Sequence, residues 1–185
     1  SEGEWESPGQ AEANGAVGNA AANYYRDAKW FDRAESLFQK TISIRLAQFG
    51  TDHPDVAAAR ANLGFLYLRM DRSGDAEPLL AQAVPVFRRQ ADPFWKPDLA
   101  AALDVLARAR LDLGHGSEAE ALYLEALSLR RSLHGETHPF FGRALMSYGR
   151  CLDELGRNAA ALPLLHRAEA ILELTRLEVG MELLQ

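Results

Sequence analysis

The stretch HPDVAAARANLGFLYLRMDRSGDAEPLL, His53 to Leu80, decides the fold. A proline follows a histidine, small and apolar residues then recur at helical spacing, and the pattern breaks at Asp71-Arg72-Ser73-Gly74. It resumes with Asp75-Ala76-Glu77 and the bulky pair Leu79/Leu80. The same design recurs on both sides about every 42 residues: Ala34-Glu35, Ala76-Glu77, Ala119-Glu120, and Ala161-Leu162 where a fourth pair falls. Leu37/Phe38, Leu122/Tyr123 and Leu164/Leu165 follow the other three alanines at the same distance. Twelve residues before each alanine stands a small residue: Ala22, Gly64, Ala107 and Gly149. Pro54 and Pro139 come twenty residues after the first and third alanine, and Pro97 comes one residue late after the second. A unit of this length and pattern is a helical hairpin that cannot bury its apolar face alone, so neighbours must stack into a solenoid.

The punctuation fixes the hairpins. Breaks inside the repeats fall at Asp27–Lys29, Asp71–Gly74, Gly114–Ser117 and Gly156–Asn158, where glycine can close one helix and Ser, Asp or Asn open the next. Ser117 with Glu120, and Asp32 with Glu35, have the spacing of a capping box. Between repeats, Asp52-His53-Pro54-Asp55 and Thr137-His138-Pro139 place proline in a first helical turn, where its missing N–H costs nothing. Pro85 falls mid-helix and predicts a kink. Gln90–Lys96 reads as a longer connector, with Phe94-Trp95 packed on the neighbouring repeat or, alternatively, anchoring a partner. The expected organisation is an acidic flexible leader over 1–12, an array over 13–176 (repeats 13–52, 53–94, 95–137 and 138–176), and a helical extension or cap over 177–185.

Composition narrows the function. The net charge of -6 argues against a partner held by phosphate neutralisation, so no nucleic acid is expected. No apolar run approaches the roughly 18 residues of a membrane span. Of the twenty basic residues only Lys29, Lys40 and Lys96 are lysine, leaving seventeen arginines, whose planar forks suit carboxylates. Cys151 is single and reads as a small buried helical residue. His134-Gly-Glu-Thr-His138 spaces two histidines as zinc-protease helices do, but Gly135 stands where the signature needs glutamate, and the segment reads as an inter-repeat turn. No phosphate loop or nucleophile elbow is present. The expectation is a non-enzymatic chain needing no cofactor and no metal. The compartment expected is the cytoplasm, although a start at Ser1 without methionine fits a processed or exported product too.

The repeat residues resemble the tetratricopeptide family. His53–Ala57, Ala61-Asn62-Leu63-Gly64-Phe65-Leu66-Tyr67 and Asp75-Ala76-Glu77 look like its kinesin-light-chain type. The resemblance implies an all-α, right-handed superhelical solenoid of about four antiparallel helix-turn-helix repeats, whose first helices line a concave groove for an extended peptide. Carried onto this chain, the groove residues are Asn23, Arg26, Asn62, Phe65, Arg69, Arg108, Arg143, Ser147 and Arg150. Arg26, Arg69, Arg108, Arg143 and Arg150 would converge on one channel, with Asp104, Asp112, Asp153 and Glu154 on the same helices. The family's variant that clamps a terminal carboxylate matches at Asn23 and Asn62, but Asn19, Ala101 and Val105 stand where its basic groups would be. The implied function is a protein–protein interaction module binding an acidic, aromatic-bearing peptide. The alternative is a structural or regulatory segment of a larger protein that packs on a linked domain or self-associates. Glu4-Trp5-Glu6 resembles the tryptophan-acidic peptides that such repeats bind, which makes the leader either a tethered pseudo-ligand or a linker remnant.

Overall fold

A computed structural model describes the backbone of residues 8–182 and the side chains of residues 18–176. The Glu4-Trp5-Glu6 segment therefore lies outside the described residues. Eight α-helices and one 3-10 turn follow each other among them: α1 (Pro8–Asp27), α2 (Phe31–Phe49), α3 (Pro54–Arg69), α4 (Ser73–Arg88), the turn Pro93–Trp95, α5 (Lys96–Asp112), α6 (Gly116–His134), α7 (Pro139–Glu154) and α8 (Asn158–Glu182). They form two compact units, one ending at Ala91 with α1 to α4 and one beginning at Asp92 with α5 to α8. In each unit the paired helices are joined by turns too short for anything but antiparallel neighbours. The second hairpin stacks on the first through α2 against α3, and through α6 against α7.

The repeat alanine sits at the same place in every hairpin. Ala34, Ala76, Ala119 and Ala161 are each the fourth residue of their helix and are at most 1% exposed. Opposite them the small partners let the helices close. A β-carbon on Gly64 would stand 2.8 Å from Leu80 Cγ and 3.4 Å from the Ala76 carbonyl, and one on Gly149 would meet Leu165 and the Ala161 carbonyl in the same way. Phe38, Leu80, Tyr123 and the half-buried Leu165, four residues beyond the alanines, fill the space beside that approach.

All four hairpin turns share one backbone solution. The residue five before the alanine is left-handed in each: Lys29 (φ 62°), Asp71 (φ 57°), Gly114 (φ 84°) and Gly156 (φ 74°). Two of the four therefore hold a side chain in a conformation that glycine adopts without strain.

Two local expectations are corrected. Asp32 and Ser117 do not cap; the N-cap positions are Trp30 and His115, without side-chain cap bonds, and Glu35 and Glu120 reach to the next hairpin instead. α1 begins at Pro8, and α8 runs unbroken to Glu182. Phe94 is 68% exposed, against the expected packing on a neighbour, and makes an edge contact with Trp95 at 5.1 Å. α4 continues through Pro85 and ends at Arg88, 16 residues long where α2 and α6 have 19.

The inter-hairpin turns do follow the sequence. Pro54 and Pro139 open α3 and α7, and the preceding histidines are the caps: His53 Nδ1 accepts from the Asp55 N–H at 3.2 Å, and His138 Nδ1 from the Phe140 N–H at 3.1 Å. Each turn is also pinned by two arginines. Arg60 donates to the Thr51 carbonyl and hydroxyl, both at 3.1 Å, while Arg89 pairs with Asp52 at 2.9 Å. In the other unit Arg131 and Arg167 both hold Glu136.

Candidate peptide-binding site

Helical periodicity gives each first helix one stripe turned away from its partner helix. In the unit of α1 to α4 that stripe carries Asn19, Asn23 and Arg26 on α1, and Ala58, Asn62, Phe65 and Arg69 on α3. The structure joins the two rows. Asn62 Nδ2 donates to Asn19 Oδ1 at 3.2 Å, and the Arg26 guanidinium lies 5.0 Å from the centre of the Phe65 ring while pairing with Asp27 at 3.0 Å. Asn23 Oδ1 is buried without a hydrogen-bond donor, an unmet acceptor of the kind native interiors rarely keep. Arg69 is exposed and has no ion-pair partner among the described residues. Four of the five expected groove residues of this unit, Asn23, Arg26, Asn62 and Phe65, thus line the α1/α3 surface, with Arg69 one turn beyond Phe65. Asn19 was read only as an absent basic group; its place one turn before Asn23 was the signal that it shares the face.

In the unit of α5 to α8 the stripes are Ala101, Val105, Arg108 and Asp112 on α5, and Arg143, Ser147, Arg150 and Glu154 on α7. Here the arginines differ in their freedom. Arg108 donates to Asp112 Oδ1 and Glu154 Oε1, both at 2.6 Å, which ties α5 to α7. Arg143 lies over the exposed Phe140 ring at 4.8 Å. Arg150 is exposed without an ion-pair partner among the described residues, and Ser147 is half-buried between the two. Asp104, one turn before Arg108, belongs to α6 instead: its Oδ2 accepts from Arg130 at 2.8 and 3.1 Å, and its other oxygen is buried without a donor. Burial raises the Asp104 pKa, and Arg130 opposes that rise.

Behind both faces runs a tie that sequence reading missed. The Tyr67 hydroxyl donates to Glu35 at 2.9 Å and Arg72 donates to the same carboxylate at 3.1 Å. In the other unit Tyr148 donates to Glu120 at 3.0 Å and Arg157 donates at 2.7 Å. In each unit the glutamate after the first repeat alanine therefore fastens the first hairpin to the second. The arginines hold one register, four residues before the following alanine, but the tyrosines differ by a helical turn, which hid the pattern.

Other chemistry-bearing residues are structural here. Cys151 is buried, and burial pushes its thiol pKa up, away from the reactive thiolate. His134 and His138 stack at 4.6 Å, with His138 Nδ1 already occupied as the helix cap. No helix of the described residues is long and apolar enough to cross a membrane.

Solved structures share the architecture. BtubC (BKLC) from P. vanneervenii superposes with a TM-score of 0.76 at 18% identity, over 95% of this chain and 68% of that one. Aspartyl phosphate phosphatase F from Bacillus subtilis gives 0.70 at 20% identity, over 90% of this chain, which spans 42% of the phosphatase. MamA (MSR-1) gives 0.58 at 21% identity, over 86% and 77% of the two chains. At these identities the likeness is one of fold. No curated protein matches the sequence significantly. The tetratricopeptide-repeat profile matches residues 12–89 and 98–173, most of the chain. With four alanine-centred hairpins built alike, the chain belongs to the tetratricopeptide-repeat family, whose repeats serve generally as non-enzymatic protein–protein interaction modules.

Proposed function

We propose that this interaction module binds an extended acidic peptide bearing an aromatic side chain, along the stripes of its first helices. The observation that carries the reading is the α1/α3 surface. Asn19 and Asn62 form an amide pair, Asn23 Oδ1 is without a donor, and Arg69 stands exposed beside Phe65. An extended backbone offers N–H groups that asparagine acceptors can take, and exposed guanidinium groups favour carboxylates. Arg143 and Arg150 supply cationic positions on the second unit's stripe.

A synthetic peptide of the chain's own first eight residues, SEGEWESP, is a suitable probe. Its titration by fluorescence anisotropy should give saturable binding that weakens between about 0.05 and 0.5 M salt, because the Debye length shrinks severalfold over that range. The combined Arg69→Glu and Arg150→Glu variant should lose it. Salt-independent binding, or binding untouched by the reversal, would place the peptide elsewhere.

A second reading is favoured by one observation. Leu162 replaces the glutamate that fastens hairpins elsewhere and is 55% exposed, and Leu174 on the same helix is 61% exposed. Such a surface suits self-association or a linked domain. Sedimentation separates the readings: a peptide-binding module stays monomeric at micromolar concentration, and a self-associating segment does not.

A further inference from the structure

Counted from the repeat alanines, the first helices carry two rows. Eleven residues before the alanine stand Asn23, Phe65, Arg108 and Arg150; seven before it stand Asp27, Arg69, Asp112 and Glu154. The second row is acidic except at Arg69. In the α5–α8 unit this places two carboxylates one turn beyond two arginines, and both converge on Arg108. One terminal nitrogen of Arg108 meets Asp112 and the other meets Glu154, each at 2.6 Å. All three side chains remain partly open to solvent: Arg108 and Glu154 are each 43% exposed and Asp112 is 27% exposed. The group is not a buried structural pair. A guanidinium offers five donors in a fixed fork, and here its two ends are already taken by carboxylate oxygens.

We propose that Glu154 is a built-in competitor for acidic ligands, occupying on Arg108 the place that a ligand carboxylate would take. The proposal rests on the acidic-peptide reading above and concerns the regulation of that same site. With two carboxylates around one guanidinium the local charge is negative, so an approaching acidic side chain is repelled from Arg108 and favours Arg150 and Arg143 on the same unit. Engagement of Arg108 requires Glu154 to swing away. That movement involves one exposed side chain and no change in the helices. Asp112 contributes from its own helix, four residues on, and cannot leave as easily, because it is less exposed. Glu154 is therefore the residue that sets how strongly acid is admitted.

The test uses the full chain and the SEGEWESP peptide at low salt. Glu154→Gln keeps the shape and a weak acceptor but removes the charge. It should tighten binding about two- to fivefold, the scale of an exposed ion pair converted to affinity. Arg108→Gln added to Glu154→Gln should cancel the gain. If Glu154→Gln does not fold, Asp112→Asn, which leaves the bond between hairpins intact, should tighten binding in the same direction. Wild-type binding with no gain in any folded variant overturns the competitor and leaves the peptide reading standing. A fall in melting temperature with unchanged affinity would make the Arg108–Glu154 pair a stabilising tie only and also overturns it. Absence of binding in wild type and variants alike removes the peptide reading and the competitor with it.

Discussion

Gly149 approaches Leu165 so closely that a β-carbon on the glycine would stand 2.7 Å from Leu165 Cδ2 and 2.9 Å from its Cγ. The contact closes the α7–α8 hairpin at the point where Ala161 packs. Gly149→Leu should therefore destabilise the chain by roughly 1–3 kcal/mol, because the overpacking exceeds what a better helix former returns. For a chain of this size the melting temperature should fall about 2–4 °C per kcal/mol. An unchanged melting temperature would contradict the repeat register.

Lys29 and Asp71 hold left-handed turns that Gly114 and Gly156 hold in the other unit. Left-handed backbone costs a residue with a β-carbon about 1–2 kcal/mol, and glycine's extra freedom in the unfolded chain offsets roughly half of that. Lys29→Gly should then stabilise by about 0.5–1 kcal/mol. Asp71→Gly should give less, since aspartate tolerates this region better. Denaturant melts resolve the difference, and a loss of stability in both variants would refute the turn assignment.

Acid should loosen the α6–α7 turn. His134 is held below the ordinary imidazole value, first by burial and then by His138 and Arg130. The unfolded chain therefore takes up this proton at a higher pH than the folded one, so stability is full above about 6.5 and declines as pH falls from there. His134→Gln removes the titrating ring and leaves the His138 cap on the Phe140 N–H in place. Its stability should decline less between about pH 7 and 5 than that of the wild type, by thermal melts across that range. Equal declines would remove the role of His134.

The Glu120 tie should matter more from one side than the other. Tyr148→Phe removes one hydrogen bond and should cost about 0.5–1.5 kcal/mol. Glu120→Ala strands both the Tyr148 hydroxyl and Arg157, so it should cost more than Arg157→Ala, whose side chain is half exposed and whose loss leaves Tyr148 bonded. Equal costs for the two alanine variants would show that the tie is not centred on the carboxylate.

The hairpins were legible because burial enforces them. Ala34 and its counterparts, and Gly64 and Gly149, can be small only where helices touch, so their spacing reports contact directly. Pro54 and Pro139 were equally plain, since proline is tolerated at few helical positions. The caps were misread because Ser117 and Asp32 have the right chemistry two residues too late, while backbone geometry at Lys29 and Gly114 closes the turns. The arginine stripe was readable as position but not as availability. That Arg108 is held by Asp112 and Glu154 while Arg69 and Arg150 are not depends on side chains a turn and a hairpin away. Asn62 was expected to face a ligand, and its bond to Asn19 joins residues 43 apart in the chain.

The most direct test of the acidic-peptide account is one titration series: SEGEWESP against the wild type and against Arg69→Glu/Arg150→Glu, at about 0.05 and 0.5 M salt. The account predicts binding by the wild type at low salt, marked weakening at high salt, and loss in the double variant with its helical circular dichroism intact. Equal binding by the wild type and a folded double variant, at either salt, would contradict it.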